Sequence, residues 1–120
     1  LEIYSILEQV PNKEEFRIIS QLIRCSISVP ANIAEGSGRA STKELLHFLN
    51  IARGSNEEVR YFLILIFDLK YINIEQYNNL ENKCSHVSKM ITNLFKSLNS
   101  TQSVLDNSTP YDFMNSVELK

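Results

Sequence analysis

Glycine, proline and tryptophan are scarce in this sequence. Its 120 residues include three glycines, three prolines and no tryptophan. An all-β fold needs turn residues every few positions, so this scarcity argues against sandwiches and barrels. Helices joined by a few short loops need little glycine or proline, and the chain has the length of one domain. We therefore expect a single all-α domain.

Cysteine and net charge are also low. The two cysteines, Cys25 and Cys84, lack metal-ligand spacing, which indicates reduced thiols in a cytoplasmic protein. The formal net charge of −2 gives no bulk attraction to nucleic acid or membranes. The longest apolar run, 61–67, is too short to span a bilayer, so we expect no membrane association.

Residues for catalysis or metal binding do not form a recognisable pattern. Neither His47 nor His86 makes a metal-binding pair at the i, i+4 spacing, so we expect no metal and no cofactor. Asn32 and Glu35 have no nucleophile or second carboxylate at a useful spacing. The sequence therefore predicts neither an enzyme nor a small-molecule substrate.

Apolar residues recur with helical spacing in four segments, which predicts an antiparallel up-down four-helix bundle. The first segment, 1–10, starts with Leu rather than Met and stops before Pro11, so we expect its helix to be truncated. The other helices are expected at about 13–35, 42–69 and 73–98. Residues 1–98 would form the bundle, and 99–120 a polar C-terminal tail.

Small and polar residues near the end of the second predicted helix indicate an architectural joint. Pro30 should kink this helix, while Gly36 and Gly38 should end it in left-handed conformations. Asn32 and Glu35 would satisfy backbone groups freed by the kink or pair with an arginine of another subunit. Ser41, followed by Glu44, is a predicted N-cap for the next helix.

The third predicted helix carries two features that suggest contact with another chain. Gly54 interrupts its middle without a turn signal, as is typical where another backbone approaches closely. Residues 61–67 are apolar on every side, which a small monomer cannot bury. Self-association is the simplest arrangement that would bury them.

Basic residues supply the candidates for partner contact. The segment 36–43 fits neither a P-loop nor a dinucleotide fingerprint, and a loop that stops one helix explains it best. It nevertheless places helix N-terminal amides near Arg39 and Lys43, so a bound phosphate is first expected there. The residues predicted to contact nucleic acid or a protein partner are Arg24, Arg39, Lys43, Arg53 and Arg60.

Several motifs, in order and over most of the chain, resemble one protein family. The core motifs are 30–36, 38–39, 47–49, 52–55 and Glu58. The flanking matches are Tyr4, Pro11, Glu15, Phe16, 20–21, Arg24 and 68–72. Together they resemble the four-helix-bundle proteins encoded in intervening sequences of 23S ribosomal RNA genes.

This resemblance implies a bacterial, cytoplasmic protein without enzymatic activity that assembles into a ring, typically a pentamer. The family is also similar to accessory proteins of diversity-generating retroelements, which bind a reverse transcriptase and nucleic acid. The first functional hypothesis is therefore a ring-forming scaffold that binds RNA or DNA, a reverse-transcriptase-like partner, or both. The alternative is a protein–protein interaction module with no nucleic-acid role.

Overall fold

Three α-helices form the described part of this chain, which is residues 13–107 of a computed structural model. The helices are α1 (Lys13–Ser37), α2 (Thr42–Asp68) and α3 (Ile74–Asn107), and α2 packs against both of the others. The prediction of an all-α protein is confirmed. The prediction of a four-helix bundle is wrong, since residues 13–107 fold into three helices; the expected first helix at 1–10 lies outside the described residues.

The helix boundaries depend on local hydrogen bonds that the sequence signals well. Ser41 caps α2, because its Oγ accepts a hydrogen bond from the Glu44 amide at 3.1 Å. Asn73 and Gln76 form a complete capping box at the start of α3, with reciprocal bonds of 2.8 and 2.9 Å. At its other end α3 continues past the expected Leu98 to Asn107.

The core consists of two apolar clusters stacked along the helices. One lies toward the α2–α3 turn and includes Leu22, Leu63 and Ile66, which have no exposed surface. The other lies toward the α1–α2 turn and is built on Leu49, Ala52 and Ile91. On α1 the buried apolar residues lie on the side of the helix that packs against α2; they are Ile19, Leu22, Cys25 and Val29.

Two buried polar contacts link different elements. One joins the start of α1 to the α2–α3 turn, and the other joins the middle of α2 to α3. Glu15, at the start of α1, is almost fully buried and forms a hydrogen bond with Tyr71 in the turn. Asn56 is 3% exposed and donates its amide to the carbonyl of Cys84 at 2.8 Å. Each buried polar side chain therefore has a partner, as stable packing requires.

Candidate functional site

Three of the five basic residues predicted to contact a partner are held in ion pairs within the chain. Arg24 contacts Glu58 at 3.2 Å across the α1–α2 interface. Arg39 pairs with Glu35 and also lies over the ring of Phe48, 4.9 Å from its centroid. A carboxylate of the same chain therefore neutralises part of the charge of each guanidinium, while both side chains stay exposed to solvent.

Arg60 has the most extensive set of contacts among these five residues. Its guanidinium meets the Glu81 carboxylate at 2.7 Å across the α2–α3 interface and Glu57 at 3.2 Å within α2. Hydrogen bonds to Glu81 raise the pKa of Arg60 above its usual value. Glu57 also accepts a hydrogen bond from Ser88, so α2 and α3 are joined by a connected polar network.

The other two predicted contact residues lie in different surroundings. Arg53 donates a hydrogen bond to Asn50 at 2.7 Å. Its guanidinium lies over the ring of Phe95, with the Cζ atom 4.9 Å from the ring centroid. Lys43 is exposed and forms no ion pair with residues 13–107. Arg24 lies on α1 and contacts α2, whereas Arg53 and Arg60 lie on α2 and contact α3. The five therefore do not form one patch, and their role in binding stays a prediction.

The glycines of the predicted structural joint have conformations different from those expected. Gly36 lies inside α1, and neither it nor Gly38 has a positive φ angle. A Cβ atom at position 36 would lie 2.9 Å from the Cβ of Phe48 and 3.0 Å from a methyl of Leu45. Gly36 is therefore needed for close helix packing, and the prediction of left-handed helix stops at Gly36 and Gly38 is wrong.

The polar residues of the joint satisfy one another within the chain. Pro30 lies within α1 without ending it, and the kink expected there stays a prediction. Asn32 donates to the carbonyl and the hydroxyl of Ser28 at 2.8 and 2.9 Å, and the Ser28 hydroxyl contacts that of Ser55 at 2.8 Å. This network connects α1 to α2 where the two helices are close.

Gly54 is not explained by packing within residues 13–107. A Cβ atom added to it would meet nothing within 4 Å, and the residue is exposed. Residues 13–107 therefore do not make the expected close approach at this position. The next residue, Ser55, is the one that contacts α1.

The outer side of α2 carries exposed apolar side chains, as the apolar run 61–67 suggested. Within this run Leu63 and Ile66 are buried, but Tyr61 is 62% exposed and Ile64 is 47% exposed. Ile51 on the same helix is also exposed, as is Leu69, the residue that follows the end of α2. Contacts within the described residues therefore bury one side of this segment and leave the other in solvent.

Sequence reasoning passed over the outer side of α3. Six exposed residues recur there every three or four positions and share a face directed away from the core. They are Asn82, His86, Lys89, Asn93, Lys96 and Ser100. The signal was readable in the sequence, because positions 82–105 contain three lysines and no acidic residue.

The two thiols lie among apolar side chains of the core. Cys25 is buried and Cys84 half-buried, and neither forms a disulfide. Burial, followed by the nearby carboxylates, raises the pKa of each thiol to about 11. Both are therefore protonated and unreactive at neutral pH. In residues 13–107, no three His, Cys, Asp or Glu side chains come together as metal ligands.

None of the three helices combines the length and hydropathy that a bilayer-spanning helix requires. The helices are amphipathic, with charged residues on their outer faces.

Comparisons with known proteins find a matching family and a similar solved structure. The profile described as 23S rRNA-intervening sequence protein matches residues 1–93. A crystal structure at 1.70 Å of a protein of unknown function from the S23 ribosomal protein family of Bacteroides thetaiotaomicron is similar, with 28% identity and a TM-score of 0.72. The match covers 79% of this chain and 89% of that one. No curated protein matches the sequence.

Proposed function

Since this chain belongs to the 23S rRNA-intervening sequence protein family, we propose that it is a non-enzymatic helical scaffold of the bacterial cytoplasm. It self-associates into a ring, typically a pentamer, and binds nucleic acid, a reverse-transcriptase-like protein, or both. The observation that carries the proposal is the exposed apolar surface on the outer side of α2.

Burial of that surface supplies the driving force for assembly. Tyr61 and Ile64 are the most exposed apolar residues on α2, at 62% and 47%. Burying apolar surface is favourable by roughly 25 cal/mol per Å², so contact between subunits here would stabilise an oligomer. Exposed Gly54 on the same helix would let the backbone of a second subunit approach closely.

Light scattering on the purified protein tests the assembly. We expect a mass several times that of one chain, and Tyr61→Glu with Ile64→Glu should shift it toward the monomer because each carboxylate would be desolvated in the interface. Ile74→Glu is the matched control, since Ile74 is 52% exposed at the start of α3. A wild-type protein that is monomeric at all concentrations would contradict the proposal.

Nucleic-acid binding is the second part of the proposal. The family name refers to 23S rRNA, and the structural neighbour belongs to a family named for a ribosomal protein, so RNA is the first probe to use. Even modest positive charge per subunit would add up when a ring repeats it, through multivalency. Binding should weaken as the salt concentration rises. If the segment 36–43 contacts phosphate, the double variant Arg39→Ala with Lys43→Ala should also bind more weakly. Absence of binding to RNA and DNA at low salt would contradict this part.

A protein–protein interaction module without a nucleic-acid role is the alternative function. It is favoured by the ion pairs that already engage Arg24, Arg39 and Arg60. Purification of the intact protein from its own cells, with and without nuclease, separates the two functions. A partner protein that remains bound after nuclease treatment, with no nucleic acid recovered in either case, would favour the alternative.

A further inference from the structure

The outer face of α3 has the composition of a surface that binds a phosphodiester backbone. This outer α3 stripe consists of Asn82, His86, Lys89, Asn93, Lys96 and Ser100, all of them exposed. Neither Lys89 nor Lys96 forms an ion pair with residues 13–107. In contrast to Arg24, Arg39 and Arg60, these two lysines keep their charge available to a partner.

We propose that the outer α3 stripe is the nucleic-acid-binding surface of this protein, with Lys89 and Lys96 contacting phosphates. The inference rests on the nucleic-acid part of the proposed function and assigns it to a different set of residues. Seven residues of α-helix separate the lysines by ~10 Å along the axis, about three nucleotide steps of ~3.4 Å. One strand of nucleic acid lying along α3 can therefore meet both.

The neutral residues of the stripe favour a nucleic-acid backbone over other anionic partners. Asn82, Asn93 and Ser100 offer hydrogen bonds between and beside the lysines, and such side chains commonly contact phosphate and sugar oxygens. A protein interface would need buried aromatic or aliphatic anchors, and a membrane-bound helix would need an apolar face. The stripe has none, because exposed Met90 and Leu94 lie on the flank of α3, roughly a quarter turn from it.

The geometry also suits repetition in an assembly. The stripe faces away from both core clusters and lies on a different helix from exposed Tyr61 and Ile64. Contact between subunits through α2 would thus leave α3 open to solvent. Each subunit would add two lysine contacts to the same strand, and these contacts would reinforce one another.

Fluorescence anisotropy with the full chain tests the inference. The probes are single-stranded and duplex RNA and DNA of equal length, titrated at several KCl concentrations. We expect Lys89→Ala with Lys96→Ala to weaken binding about tenfold or more at 0.1 M salt. The slope of log K against log salt should become shallower by about 1.5, because fewer counterions are released when two phosphate contacts are lost. Lys89→Arg with Lys96→Arg should bind like the wild type.

Two further variants make the outcome specific. Lys13→Ala with Arg17→Ala removes the same charge from exposed positions on α1 and should change affinity less than twofold. If the α3 double alanine variant binds like the wild type while Arg39→Ala with Lys43→Ala does not, the inference is wrong but the nucleic-acid function stands. If the wild type binds no probe at low salt, both fail. If the wild type binds polyglutamate as tightly as nucleic acid, and the α3 double alanine variant loses this binding, the partner of the stripe would be an acidic protein rather than nucleic acid.

Discussion

Lys70 adopts a backbone conformation that usually belongs to glycine. Its φ angle is 65°, and its amide bonds to the carbonyl of Phe67 while that of Tyr71 bonds to the carbonyl of Ile66. This is the Schellman arrangement that ends a helix, with lysine in the left-handed position. A side chain at this position costs roughly 1–2 kcal/mol relative to glycine.

Replacing Lys70 by glycine should therefore stabilise the protein. We expect Lys70→Gly to raise the free energy of unfolding by about 0.5–1 kcal/mol, since the greater freedom of glycine in the unfolded chain offsets part of the gain. Urea denaturation followed by circular dichroism measures it. Lys70→Ala is the control, because it removes the charge but keeps the strained conformation. Equal effects of the two variants would assign the change to charge.

Gly36 and Gly54 are both helical, yet alanine should act on them in opposite directions. Gly36→Ala should lower stability by about 1–3 kcal/mol, because the new Cβ would collide with Phe48 and Leu45. Gly54→Ala should stabilise an isolated chain by up to about 1 kcal/mol, since the added Cβ meets nothing and alanine is the better helix former.

Measurement of both variants at low and high protein concentration extends this test. If another subunit approaches Gly54, its alanine variant will be stabilised only when dilute and will assemble less well. Thermal unfolding across a concentration series, with light scattering in parallel, records both effects. Destabilisation of the dilute monomer by Gly54→Ala would contradict the open space around position 54.

Contact between elements depends on ion pairs of unequal strength. Arg60 and Glu81 join α2 to α3 with side chains 31% and 23% exposed, whereas Arg24 and Glu58 join α1 to α2 with 58% and 50% exposed. Water screens an exposed pair more strongly, and a pair with several hydrogen bonds holds its geometry better.

Double-mutant cycles to alanine should separate these two pairs. We expect a coupling energy of about 1 kcal/mol between Arg60 and Glu81 and about 0.5 kcal/mol or less between Arg24 and Glu58. The cycles need four urea unfolding curves for each pair, at low and at physiological salt. Equal coupling in both pairs would contradict the effect of burial on their strength.

At the scale of the whole molecule, alkaline pH should unfold the protein through its core thiols. Burial raises the pKa of Cys25 and of Cys84 from 9.0 to about 11, so the unfolded chain loses these protons first. Stability is therefore fully present below pH 9 and is lost as the pH rises from 9 to about 11. The hydrogen bond to Glu15, which raises the pKa of Tyr71 from 10.0 to about 12, acts in the same direction at higher pH.

Chemical denaturation between pH 8 and pH 11 measures this loss, and a thiol reagent at pH 8 should label the native protein far more slowly than the unfolded one. The variant Cys25→Ala with Cys84→Ala should be less stable at pH 8 but should lose stability more slowly with rising pH. An unchanged pH dependence in this variant would mean that other groups cause the alkaline unfolding.

Local signals in the sequence determined much of the secondary structure. The scarcity of turn residues, the apolar spacing of α1–α3 and the caps at Ser41 and Asn73 are short-range features, so they can be read without knowledge of packing. The prediction of a four-helix bundle was wrong, because the number of helices that pack together depends on contacts between segments. The prediction that the last helix ends at about Leu98 was also wrong, because the polar composition of the following residues does not prevent α3 from continuing to Asn107.

Only the tertiary structure decided what the individual residues do. The sequence by itself placed Gly36, Gly54 and five basic residues among the features of interest, but it could not tell a glycine required by a neighbouring helix from one facing open space. Nor could it show that Arg24, Arg39 and Arg60 are paired while Lys89 and Lys96 form no ion pair within the described part of the chain. The physical reason is that steric contact and ion pairing act through distances between elements, which helical periodicity does not contain.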